Sequence, residues 1–412
     1  MRPLLPALLG ALLIAVPAAA QTTLDDAIQL YLAGNYEKAA SVLDSITDAT
    51  HFNPRARAWQ AEAYYRLGDY ARAEQAIGQA LEADGCQAAA HNVRAAIYAQ
   101  EPWDAGSRAV TWEHAQQAVK CDPEDGNAWL TYWISGVMRR DSIAQATAQR
   151  RIAEIGFIPD AIMEQARWML RAAPRGAVLF TAGDWDYFPL MVAQSQEGLR
   201  PDVTVAMLGM LEVPWYVREL AGRAGWPVPS HAAKAEDDWM PVEELADSLP
   251  QEPSPFTRRT GVLWARASLA GGRPLAIAAT APTDFVGDVA YLRWRGPVYT
   301  LLPWEQAPPD TVLSLDEVSF AASMRALDVS RLGGPIVHPT DRSPIRRTAS
   351  APADVILLPV LYYGVQNLEA GRMQDVRQAL AWADALIATG ASTGRYAANV
   401  DELRAAVDAE SP

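Results

Sequence analysis

The sequence predicts an α plus α/β protein: a stack of helical hairpins, an α/β domain on a mostly parallel sheet, and a C-terminal helical hairpin. Three observations carry this prediction. Gly34-Asn35-Tyr36-Glu37-Lys38-Ala39 recurs 34 residues later as Gly68-Asp69-Tyr70-Ala71-Arg72-Ala73. From about residue 157, short apolar runs alternate with helix-length segments. After a stretch at 332–353 rich in Gly, Pro, Ser and Arg, helical patterns return.

The N-terminal twenty residues read as a secretory signal. Arg2 gives the positive end, and Leu4 to Val16 is an apolar run broken by Pro6 and Gly10. Ala18-Ala19-Ala20 offers small residues for cleavage before Gln21. The mature chain is therefore expected in the periplasm or outside the cell, with partners in the cell envelope. The apolar run Ile356 to Val365 is about half the length of a membrane span and contains Pro359, so no integral span is expected. The chain has 412 residues and a formal charge of -14, which argues against nucleic acid and against anionic membrane surfaces as partners. This length predicts several domains. They are placed at 1–20 (signal), 21–155 (hairpin repeats), 156–305 (α/β domain) and 306–412 (linker loop and helices).

In each repeat the Gly-Asn/Asp-Tyr triplet makes the turn, and its tyrosine opens the second helix and packs inward. Ala39 and Ala73 permit close helix approach, and Leu43 and Ile77 lie one turn further along the same face. Ala61 and Tyr64 hold the matching positions on the first helix of the second unit. A third unit starts near Cys86, contains Ala95, Tyr98 and Ala118, and ends at Asp122-Pro123. Its inter-helix turn, Pro102 to Gly106, is longer. A fourth opens at Asn127-Ala128-Trp129, continues through Tyr132, Trp133 and Gly136, and takes 141–155 as its second helix. Cys86 and Cys121 fall at the start and end of the third hairpin. Antiparallel helices bring those ends together, so a disulfide is expected, with two unrelated thiols as the alternative. The period resembles the tetratricopeptide repeat. That resemblance implies a concave groove for a protein or peptide partner, without catalysis of its own.

The elements of the α/β domain follow in order. Ala177 to Thr181 is a strand buried on both faces. Gly183-Asp184-Trp185-Asp186 reads as a turn, and Phe188 to Glu197 as a helix closed by Gly198. Val203 to Leu208 is a strand and Pro214 to Ala224 a helix, followed by a Pro-rich, acidic excursion at 228–256. Gly261 to Ala270 is a helix and Leu275 to Thr280 a strand. A short helix near Gly287 to Trp294 leads to the strand Val298 to Leu302.

Several of these segments stand in a recognisable order: Gly183-Asp184-Trp185-Asp186-Tyr187-Phe188-Pro189-Leu190, then Gln194, Gly198-Leu199-Arg200-Pro201-Asp202-Val203 and Pro214-Trp215-Tyr216. Arg273-Pro274, Tyr291-Leu292 and Leu301-Leu302-Pro303 follow. This series resembles the soluble tail of protein O-mannosyltransferase-like multi-spanning membrane proteins. Trp185 and Tyr187 replace the Asn and Thr usual there. The transferase chemistry of that family sits in its membrane part, so the resemblance implies a shared accessory domain and not a shared activity.

Ligands of open α/β sheets bind at the carboxyl ends of strands. The candidate binding residues are therefore Gly183, Asp184, Trp185, Asp186 and Tyr187 after the first strand, with Trp215 and Tyr216 near by. Asp184-Trp185-Asp186 has the D-x-D form used by some nucleotide-sugar transferases, but helix capping is the favoured role of these carboxylates. No cofactor is expected; a divalent cation held by Asp184 and Asp186 is the less favoured alternative. Aromatic rings, including Trp239, can stack on sugars, although filling the core is their commoner use. No catalytic residue is identified: the chain has no G-x-S-x-G elbow, and no cysteine lies near a base. His231 and His338 stand alone in Pro-rich loops and are expected at the surface. Helices are expected at Asp354 to Ala370, Gln374 to Thr389 and Tyr396 to Ala409. The function predicted is non-enzymatic binding or assembly, and the alternative is glycan or nucleotide-sugar handling at the end of the first strand.

Overall fold

A computed structural model describes residues 23–49, 53–100, 105–235, 254–308, 314–336, 338, 341–342 and 352–410. The signal segment, residues 102–104 of the long turn, Trp239 and most of the 332–353 linker lie outside them. The chain forms two compact units, residues 1–85 and 86–412.

The first unit contains α1 (Leu24–Leu32), α2 (Tyr36–Ala49), α3 (Pro54–Arg66) and α4 (Tyr70–Ala83). Thr23 and Asp26 close a capping box at the start of α1. The repeat glycines turn the chain in the left-handed region, at φ +81° for Gly34 and +74° for Gly68. Asp69 then accepts the Arg72 backbone N–H and caps α4. Ala39, Leu43, Ala73 and Ile77 are fully buried. The two repeat tyrosines part company: Tyr36 is half-buried against Tyr31, whereas Tyr70 is 41% exposed beside Tyr65. Polar bonds join the helices beneath. Asp44 on α2 accepts from Gln60 and Tyr64 on α3, at 2.5 and 2.6 Å. The Tyr31 hydroxyl donates to buried Glu62 at 3.1 Å and accepts from Arg66.

The second unit opens with α5 (Ala88–Tyr98), α6 (Ala105–Cys121), α7 (Gly126–Met138), α8 (Ser142–Glu154) and α9 (Asp160–Ala172). A disulfide joins Cys86 and Cys121, whose Cα atoms are 5.1 Å apart. Closing this loop lowers the entropy of the unfolded chain and contributes roughly 4 kcal/mol. On the same hairpin the Nδ1 atoms of His91 and His114 lie 2.7 Å apart. One must donate and the other accept, so the contact requires at least one neutral ring. Burial, with His91 and Arg94 adding repulsion, pushes His114 down to about 4.

Next come β1 (Val178–Thr181), α10 (Asp184–Glu197), β2 (Thr204–Met207), α11 (Pro214–Ala224), α12 (Ser230–Lys234), α13 (Pro255–Leu269), β3 (Leu275–Ala278), β4 (Tyr291–Trp294), β5 (Val298–Leu302) and β6 (Ser314–Leu315). The sheet order is β2-β1-β3-β5-β4-β6. The β2-β1-β3 half is parallel; β5 runs antiparallel to both β3 and β4, and β6 is parallel to β4. The sheet is thus mixed. The predicted helix at 287–294 is instead a short 3-10 segment (Asp284–Val289) followed by β4. Four residues are too few for strand alternation to show. All of β1 is buried, and Phe180 on it is surrounded by Trp226, Trp264 and Phe285. The same core continues into the fourth hairpin through Trp129, Trp133, Ala148 and Ile152.

Two arginines lock the N-terminal ends of the parallel strands. The Arg200 guanidinium donates to the carbonyls of Leu170, Ala173 and Pro174, and pairs with both Asp202 oxygens at 2.8 and 2.9 Å. Arg273 donates to the Gly176 and Asp202 carbonyls and to the Thr204 hydroxyl. Asp202 also accepts the Gly176 backbone N–H, and these bonds hold its carboxyl well below the usual range. The C-terminal helices α14 (Glu317–Arg325), α15 (Pro352–Glu369), α16 (Met373–Ala388) and α17 (Ala397–Glu410) share a further core around Trp168, whose indole donates to Ser323. His231 and His338 are half-buried, beside Phe256 and Phe157 respectively, and not at the open surface.

Two outcomes follow. His114 has a folded pKa below its unfolded value, so its contribution is complete above about pH 6.5 and is lost as pH falls towards 4, when the unfolded chain takes the proton first. Thermal unfolding should show a loss of roughly 1–2 kcal/mol between pH 7.5 and 5, and His114→Gln should flatten that slope. Asp202→Ala strands the Arg200 and Gly176 donors and should cost roughly 2–3 kcal/mol in urea unfolding, with little change in m.

Candidate functional site

The seven candidate residues separate into two places. Gly183, Asp184, Trp185 and Asp186 lie at the carboxyl end of β1. Here helix α10 begins at Asp184, so the segment read as a turn is the helix's first turn, and Gly183 is its N-cap without a side-chain bond. Neither Asp184 nor Asp186 takes the N-cap position expected for it. Both carboxylates sit where the helix macrodipole favours negative charge. Two residues apart on a helix, they leave the axis about 200° apart. Asp186 accepts the Thr280 hydroxyl at 2.5 Å, at the end of β3, while Asp184 is exposed with no partner among the described residues. Burial raises the Asp186 carboxyl pKa, and bonds from Thr280 and the Ala182 backbone partly oppose this. Among the described residues no three His, Cys, Asp or Glu side chains gather as a metal site would require. Trp185 packs half-buried against the core.

Tyr187, Trp215 and Tyr216 meet elsewhere, in a cleft of about 240 Å³ between hairpin α7–α8 and helices α10 and α11. Beside the cleft the Trp133 ring of α7 packs 4.5 Å from that of Phe188 on α10 and joins the two walls. Next to Phe188 stands Tyr187, 8% exposed, with no hydrogen-bond partner for its hydroxyl among the described residues. Burial pushes this phenol up to about 12. The Tyr216 oxygen accepts the Met207 backbone N–H at 3.1 Å, and burial raises its pKa further still. The Trp215 indole N–H is buried without an acceptor. Arg140, Glu219 and Arg223 supply the charge in the lining. Arg140 lies over the Trp215 ring and 4.0 Å from Glu219. The Arg223 side chain has no ion-pair partner among the described residues.

Sequence reasoning passed over Arg140, although a signal was present. Arg140-Asp141-Ser142 occupies the hairpin turn where the earlier repeats have Gly34-Asn35-Tyr36 and Gly68-Asp69-Tyr70. Asp141 caps α8 as Asp69 caps α4. Arg140 therefore stands at the glycine position and adopts its left-handed backbone, at φ +58°. For a side chain with a Cβ that conformation costs about 1–2 kcal/mol.

A tetratricopeptide repeat family model matches residues 30–97. The model of TMEM260-associated domain 2 matches residues 162–239. TMEM260 is classed as O-mannosyltransferase-like, in line with the resemblance read from the sequence. No curated protein matches the chain. The repeat match points to a protein-binding or assembly role. No described helix is long and apolar enough to cross a membrane.

Replacing Arg140 by glycine should relieve the turn. Arg140→Gly is expected to raise unfolding stability by about 0.5–1 kcal/mol, measured by chemical denaturation, despite the loss of an exposed ion pair.

Proposed function

We propose that this protein is an exported binding or assembly module of the cell envelope, using its repeats to hold a protein or peptide partner. The repeat match at 30–97 carries this reading. The Cys86–Cys121 disulfide supports export, because such bonds persist in oxidising compartments. The first unit supplies anchoring chemistry: Tyr31, Tyr36 and Trp59 form an aromatic cluster with ring centroids 5.3–5.4 Å apart, and Tyr36 and Trp59 stay half-exposed. Flat, rigid aromatic groups of this kind dominate peptide-binding energetics.

A second reading, glycan or nucleotide-sugar handling at the tip of β1, is favoured by the TMEM260-associated domain match, which includes Asp184 and Asp186. The divergent directions of the two carboxylates weigh against one shared cation.

The test uses the full chain in its native cell. A photo-crosslinking residue at position 59 should capture one defined partner, and the same residue at exposed position 304 should not. Equal adducts at both positions, or none at 59, would contradict the binding reading. A thermal shift with Mn²⁺ plus a nucleotide sugar that Asp186→Ala removes would favour the second reading instead.

A further inference from the structure

We infer that the cleft between hairpin α7–α8 and helices α10 and α11 binds a small acidic sugar: one hexose-sized ring carrying one carboxylate. This goes beyond the repeat groove and lies apart from the tip of β1. The cleft holds about 240 Å³, below the ~300–1,000 Å³ of pockets for larger ligands, so a single ring is the matching size.

Donors predominate in its lining. The Tyr187 hydroxyl is attached to a ring more than nine-tenths buried and has no protein partner among the described residues. The Tyr216 oxygen already accepts from Met207, which leaves its O–H free to donate. The Arg223 guanidinium is unpaired among the described residues, and Arg140 lies over the Trp215 ring with Glu219 as a long, 4.0 Å ion-pair contact. Two arginines against one glutamate leave the lining net positive, in a chain whose formal charge is -14. That balance suits one negative charge. A dianionic phosphate would place its second charge against Glu219. Ring hydroxyls would be served by Glu219 as acceptor and by Ser142 and Gln145, which can both donate and accept. The left-handed backbone at Arg140 places a cation where the first two hairpins have Gly34 and Gly68.

Calorimetric titration of the full chain tests this with four probes: D-glucuronate, D-glucose, inorganic phosphate and triglycine. D-Glucuronate should bind at least about tenfold tighter than each of the others. Arg223→Gln and Tyr187→Phe should each weaken it by about tenfold without lowering the thermal midpoint, since neither side chain bonds to the protein. Arg140→Gly should weaken it while raising the midpoint. No heat with D-glucuronate, equal binding of D-glucose, tighter binding of phosphate or triglycine, or affinity that survives all three substitutions would overturn the inference. Partner capture at position 59 is read separately, so failure of one reading leaves the other measurable.

Discussion

The contact between Trp133 and Phe188 decides what kind of molecule this is. A repeat hairpin ordinarily buries its apolar face against the next hairpin. Here α7 has no following hairpin of its own kind and instead places a fully buried indole against the first helix after β1. An aromatic pair in contact gives about 0.5–1.5 kcal/mol beyond its area. The larger consequence is geometric. Hairpin α7–α8 becomes part of the core that contains β1, β2 and β3, and repeat and sheet are continuous within the second unit.

That continuity creates a concave surface with two kinds of wall. One comes from a helical hairpin whose turn carries Arg140, and the other from α10 and α11, which carry Tyr187, Trp215, Glu219 and Arg223. None of these groups makes a site within its own element. The strained arginine and the unbonded phenol both run against folding stability alone, and such features concentrate where a surface is shaped for binding. By contrast, the tip of β1 has one carboxylate bonded to Thr280 and another turned to solvent.

The hairpins were legible because their turns depend on glycine in a left-handed backbone and on an Asp or Asn that follows. Those requirements print a period into the sequence. β1, β2 and β3 were legible as apolar runs. β4 was not: four residues between a glycine-bearing 3-10 segment and a tight turn look the same as a helix end. The antiparallel half of the sheet went unread for the same reason. The motif Arg200-Pro201-Asp202 was legible as a resemblance, but its purpose came only with the carbonyls it binds. Arg200 and Arg273 hold strand ends together and do not line the cleft. The cleft was hidden because its walls lie in separate stretches, 137–145 and 187–223, which tertiary packing such as the Trp133–Phe188 contact brings together. The single local sign was an arginine in a glycine register.

Native-state hydrogen exchange on the full chain tests this fusion of hairpin and sheet most directly. The slowest amides of α7 and α8 should open with the same free energy as those of β1 and β3, and Phe188→Leu should lower all of them together. Separate opening of α7 and α8 at lower free energy, unmoved by that substitution, would show that the hairpin only leans on the sheet and that the shared core does not exist in solution.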